Sequence, residues 1–148
     1  DITLESFNFD TATIQNCTDN NLVFKINDKE LLLLSIPESS FLNEETPDGS
    51  PRIINVGTTN QIIYRLYSGN VSSATICSTL PPASPVVEKE WNASGGTIEI
   101  ITDALYDVDG ITINGYTHNI KFKNVNFSNP DNSFSFTEYI FGNYETDL

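Results

Sequence analysis

The sequence predicts an all-β chain: an antiparallel β-sandwich, Ig-like or jelly-roll-like, of about nine or ten strands with little helix, occupying residues 1–148 as a single domain. Three observations predict it. Apolar residues recur at every second position through most segments, whereas a 3.6-residue repeat hardly occurs. Turn-forming Asn, Asp, Gly and Pro punctuate these alternating runs at short, regular intervals. Charged residues make up only 18% of the chain, below the usual quarter, and Asn, Ser and Thr take their place. That composition suits exported β domains and not helical cytosolic enzymes.

At the start, Ile2 and Leu4 share one face and Phe7 and Phe9 the other, a change of phase that predicts a β-bulge near Glu5 and Ser6. "ATIQ" continues that strand or begins another. "NLVFKIN" alternates Leu22, Phe24 and Ile26 against Val23, Lys25 and Asn27. "NDKE" then turns the chain, because Asn and Asp tolerate left-handed backbone. "LLLLSI" returns as its partner, apolar on both faces and therefore central in the sheet. Residues 37–52, "PESSFLNEETPDGSPR", read as an exposed mobile loop with one helical turn at "SSFLNEE".

"RIINV" and "NQIIYRLYS" are the next strands, and "SGN" is expected to turn the second into "VSSATICS" as a hairpin. Pro81, Pro82 and Pro85 then force an extended crossing, since proline cannot donate to a ladder. "PVVEKEWN" fits a short helix started by Pro85 or a strand with Val87, Lys89 and Trp91 on one face. The "ASGG" that follows reads as a hairpin turn into "TIEIIT" and favours the strand. "DVDG" turns into "ITIN", and Asn114-Gly115 is the strongest short hairpin signal in the chain. "HNIKFKNVNF" changes phase between Phe122 and Val125, "SNPDN" turns, and "SFSFTEYIFGNY" closes the fold.

Cys17 and Cys77 form an even pair without C-x-x-C spacing, and His118 is the single histidine, which is too few soft ligands for a zinc site. A disulfide between the two cysteines is expected, as a staple at the entry to the proline crossing. Closing a loop of about 60 residues is worth about 4 kcal/mol in the chain-entropy account.

The net charge of −13 opposes approach to phosphate backbones, so no nucleic-acid partner is expected. No apolar run approaches membrane-spanning length, and no transmembrane segment is predicted. The chain begins at Asp1 and contains no methionine, which reads as a mature chain whose targeting segment has been removed.

Candidate chemistry is sparse. Asp103, Asp107 and Asp109 in "DALYDVDG" could give Ca2+ oxygen ligands, although an EF-hand frame on Gly110 fails: it puts Leu105 first and Tyr116 twelfth. The bland alternative is an Asp-rich turn. His118 lies in phase with Ile120 and Phe122 on a strand face, and no G-x-S-x-G accompanies it, so no catalytic residue is assigned. Among the aromatics, Trp91, Tyr116 and Tyr67 are the candidate platform for stacking a sugar ring. Four N-x-S/T sequons, at Asn16, Asn70, Asn92 and Asn126, match what composition alone would give.

The run "YRLYSGNVSSATICSTLPPASPVVEKEW" with "GGTIEIIT" resembles uncharacterised lipoprotein-like exported proteins of flavobacteria and related Bacteroidetes. "DITLESFNFD" is similar to the region just after a removed lipid-anchor cysteine. The resemblance implies a β-rich exported domain at the outer membrane, the cell surface or in the periplasm, with a lipid anchor upstream. It implies no activity. The function expected is non-enzymatic binding or structure, with glycan or an envelope protein as partner. The alternatives are an envelope hydrolase with a carboxylate-based site and a calcium-dependent adhesion domain.

Overall fold

The hairpin turned by "NDKE" is the seed of the architecture in a computed structural model that describes residues 7–18, 20, 22–78, 80 and 82–148. β1 (Gln15–Asn16) pairs with β2 (Leu22–Asn27), and β2 pairs antiparallel with β3 (Glu30–Ser35) from Leu22 opposite Ser35 to Asn27 opposite Glu30. Asp28 in the turn sits at φ 54°, backbone that Asp accepts more readily than most residues. The bulge expected at Glu5 and Ser6 lies outside the described residues.

β4 (Arg52–Asn55) joins the far side of the sheet, and β5 (Gln61–Tyr67) pairs with β3. β3 is therefore flanked on both edges. Its four consecutive leucines are all buried because both faces are covered: Leu32 and Leu34 enter the main core, while Leu31 and Leu33 enter a second cluster with Phe24, Tyr67 and Val71.

What covers that second face corrects the sequence reading. "VSSATICS" is not a strand beside β5. Residues Ser73–Cys77 form a single helical turn, α1, and the neighbour of β5 is instead β6 (Val87–Ser94), with Tyr64 opposite Trp91. Small residues alternate in this run, so it fits several conformations locally. The apolar face of Leu31 and Leu33 decides between them, because it needs Ile76 and Cys77 packed over it. Cys77 is bonded to buried Cys17, so the disulfide is present and ends a helix, not a strand.

The remaining strands are long. β7 (Thr97–Tyr106) pairs with β4 on one side and β8 (Ile113–Ser128) on the other, and β9 (Ser133–Asp147) runs along the far side of β8. The structure departs from the sequence expectation at two further places. "ASGG" does not fold β6 back on β7: the two do not pair. Ser94 stands opposite Asn126 and Thr97 opposite Lys123, so β6 and β7 lie end to end along one side of β8, as one strand bent at Gly95-Gly96. Gly96 has φ 74°, and a Cβ there would strike the carbonyl oxygens of Lys123 and Asn124. Asn124, at φ 55°, is the matching irregularity in β8, and it produces the expected change of phase between buried Phe122 and Val125.

Nor is Asn114-Gly115 a turn. Gly115 lies within β8 opposite both Leu105 and Asp147, and a Cβ there would come 2.6 Å from the Thr146 carbonyl oxygen. It is glycine so that β9 can approach.

Among the described residues, the corner at Gly95-Gly96 folds one hydrogen-bonded sheet of nine strands, in the order β1-β2-β3-β5-β6-β8-β7-β4 with β9 on β8, into an antiparallel sandwich. Leu32, Tyr64 and Trp91 from one layer share a core with Ile100, Phe122 and Phe141 from the other. Phe7 plugs this core from the amino-terminal side, with its ring 4.7 Å from Tyr64 and 5.0 Å from Phe136. The two polar tips buried here are satisfied: the Trp91 indole N–H donates to Asn132 Oδ1 at 2.8 Å, and the Tyr64 hydroxyl donates to Glu30 Oε1 at 2.6 Å. No helix among the described residues is long and apolar enough to cross a membrane.

Candidate functional site

The aromatics nominated from the sequence do not make a platform. Trp91 is 0% exposed and Tyr67 5%, so neither can offer its face to a sugar, and Tyr116 is half-buried. They stand on β6, β5 and β8. The period-two pattern locates such side chains on strands but does not say which face is inward.

The aspartates do not converge either. Asp109 accepts bonds from the Ile111 and Thr112 amides and the Thr112 hydroxyl, and these hold its carboxyl below the ordinary range, the Thr112 hydroxyl most of all. Asp107 accepts from the Val108 amide, and Asp103 is paired along the strand with Thr117. Among the described residues no three His, Cys, Asp or Glu side chains gather to hold a metal ion. The Asp-rich turn is a turn.

His118 is fully buried on the inner face of β8, and both ring nitrogens are engaged. Nδ1 lies 2.7 Å from the Thr102 hydroxyl and Nε2 2.9 Å from the Thr146 hydroxyl. Arg52 donates to the Thr102 oxygen at 2.6 Å, and the Thr146 hydroxyl donates to Asn43 Oδ1 at 2.6 Å. These directions assign the tautomer: Thr102 donates to Nδ1, and the Nε2 proton goes to Thr146. Burial, and secondarily the Arg52 charge, push the imidazole pKa down to about 4. The network also ties down the 37–51 segment, which was expected to be mobile. Arg52 donates to the Leu42 and Glu44 carbonyls, the Thr46 amide donates to the Thr102 carbonyl while the Thr102 amide donates to the Thr46 hydroxyl oxygen, and the helical turn at Glu38–Phe41 buries Phe41 against His118. His118 is thus an internal strut with no access to substrate.

A recess lies where the amino-terminal segment meets β9. Two neighbouring cavities, of about 330 and 440 Å³, both have Asn16 and Tyr144 in their walls. The first adds Thr18, Asn20, Glu38 and Phe41. The second adds Thr13, Asn143, Glu145 and Lys25. Asn16 and Thr18 flank Cys17, whose bond to Cys77 holds this corner against α1. Glu38 and Phe41 belong to the helical turn held by the His118 network, and the Tyr144 ring meets Phe41 edge-on at 4.9 Å. Burial, then the charge of Glu38, pushes the Tyr144 phenol pKa up. Sequence reasoning missed this site. Tyr144 was visible as one aromatic among several, but Asn16, Thr18, Asn20, Glu38 and Phe41 lie more than a hundred residues away in the chain.

A second recess of about 390 Å³ lies under the proline crossing, walled by Ile76, Pro82, Pro85 and Val86 with Tyr67 and Arg65 in its lining. Arg65 is occupied: its Nε donates to Glu90 at 2.6 Å and Nη1 to the Tyr67 hydroxyl at 3.3 Å. No protein-family description, curated protein or solved structure matches the chain.

Proposed function

We propose that this chain is an exported, non-enzymatic β-sandwich of the bacterial cell envelope that binds glycan in the recess between residues 12–18 and β9. The observation that carries the reading is the Asn16–Tyr144 pair common to both cavities, with the amides of Asn20 and Asn143 and the hydroxyls of Thr13 and Thr18 around it. Planar amides pair with neighbouring sugar hydroxyls, and an aromatic ring takes the apolar face of a pyranose. Export is supported by the disulfide, which oxidising compartments permit, and by the resemblance to lipoprotein-like envelope proteins, which implies a lipid anchor upstream. A glycan array followed by calorimetry on the best ligand tests the reading. Tyr144→Ala should weaken binding by about tenfold or more, the loss expected from one stacking contact. Undiminished affinity in that variant, with its thermal melt intact, would remove this recess as the site.

A protein partner is the second reading, and one observation favours it. Leu80, Val86 and Val87 are 79%, 52% and 44% exposed beside the recess under the proline crossing. Val86→Asp should abolish capture of such a partner while leaving glycan affinity unchanged. For the calcium-dependent alternative, chelator should lower the melting temperature; the self-satisfied Asp107–Thr112 turn argues for an unchanged melt.

A further inference from the structure

The charges inside the recess select among glycans, an inference that rests on the glycan reading above. Among the described residues each cavity is lined by one carboxylate, Glu38 in the smaller and Glu145 in the larger. The ion pairs among the described residues are Arg65–Glu90, Lys121–Glu138 and Lys123–Glu138, and none of them takes Glu38 or Glu145.

Lys25, the one cation lining the recess among the described residues, does not offset these carboxylates. Its side chain is committed inward: Nζ donates to the Phe9 carbonyl at 3.4 Å and stands 5.5 Å from the centre of the Phe141 ring. Only 8% of Lys25 is exposed, and the carboxylate whose charge acts on it is Asp10. A ligand entering the recess therefore meets exposed carboxylates first, within a molecule of net charge −13.

We propose that the recess takes glycans bearing free primary ammonium groups, such as 2-amino-2-deoxy sugars, and rejects uronic acids and sulfated sugars. The amides and Tyr144 bind the ring and hydroxyls common to all sugars. Glu38 and Glu145 supply the discrimination, through charge-assisted N–H···O bonds that an acetylated nitrogen cannot make with the same strength. An anionic sugar would bring like charges together there, which is discrimination by repulsion as well as by attraction.

Calorimetry with a glucosamine tetramer, its N-acetylated counterpart and a galacturonic acid tetramer tests this on the wild-type chain and on the Glu38→Gln/Glu145→Gln double variant. The glucosamine tetramer should bind about tenfold tighter than the acetylated one at low salt, and the margin should shrink as added salt shortens the screening length to about 3 Å near 1 M. Galacturonate should bind the wild type more weakly than either. The double variant should bind the two amino-sugar tetramers equally well. A preference that is absent, or that survives in the double variant, overturns the charge selection. Binding of the acetylated tetramer that still depends on Tyr144 would then leave the glycan reading intact. Failure of all three probes to bind would remove both.

Discussion

Acidification should cost this protein stability through one residue in particular, because His118 has no place for a second proton. Thr102 points its hydroxyl hydrogen at Nδ1 while its oxygen accepts from Arg52, so protonation at Nδ1 would set two donors face to face beside a guanidinium. The folded pKa of about 4 lies below the ordinary 6.5. In the unfolded chain the imidazole takes up its proton as the pH falls through 6.5, and in the folded chain it does not do so until about 4. Between those values the unfolded state binds more protons, so the stability supplied by neutral His118 is fully present above pH 6.5 and is lost as the pH falls to 4. At about 1.4 kcal/mol per pH unit, the interval is worth about 3 kcal/mol, a large share of an ordinary domain's 5–15. Urea midpoints of wild type and His118→Gln across this range isolate the contribution, since the carboxylates are common to both. The variant should be less stable at neutral pH by about 1–3 kcal/mol, having lost a hydrogen-bond partner, and the gap should close, or reverse in sign, by pH 4. The chain has one histidine, so its ring resonance reports the titration without ambiguity. A resonance that titrates at pH 6 or above in the folded protein would refute the assigned tautomer and the argument built on it.

Three further outcomes follow from the packing. Replacing both Cys17 and Cys77 by serine should lower stability by about 2–5 kcal/mol in urea titration, and it should weaken whatever occupies the recess beside Asn16. Gly96→Ala and Gly115→Ala should each cost about 1–3 kcal/mol, the first also straining a backbone at φ 74°, whereas Gly57→Ala, with open space around its Cβ, should change little. Asn132→Ala leaves the Trp91 indole N–H without its partner and should cost about 1–3 kcal/mol; the emission of this single tryptophan should stay that of a buried ring, and an unchanged urea midpoint would refute the bond.

Several features were readable before any tertiary information because they rest on local physics. The turn at Asp28, the double-faced burial of Leu31–Leu34 and the change of phase at Phe122–Val125 all follow from side-chain alternation and backbone preference over a few residues. The disulfide was readable because two cysteines in an export-like composition leave little else for them to do. Glycine in turn-like dipeptides was the misleading signal. Gly95-Gly96 and Asn114-Gly115 carry the composition of hairpin turns, yet one bends a strand across β8 and the other lets β9 close in. A missing Cβ serves a left-handed backbone and a close approach equally well, so sequence cannot tell the two apart.

The sequence by itself determined that this would be an antiparallel β protein, where most of its strands would run and which sulfurs would join. Tertiary structure alone decided which strands are neighbours, that residues 73–77 wind into a helical turn over Leu31 and Leu33, and that Trp91 is buried while Tyr144 lines a recess. The reason is physical. Alternation and turn chemistry act between residues close in the chain, whereas strand order and the inward face of each strand are settled by apolar surface meeting apolar surface across a hundred residues or more.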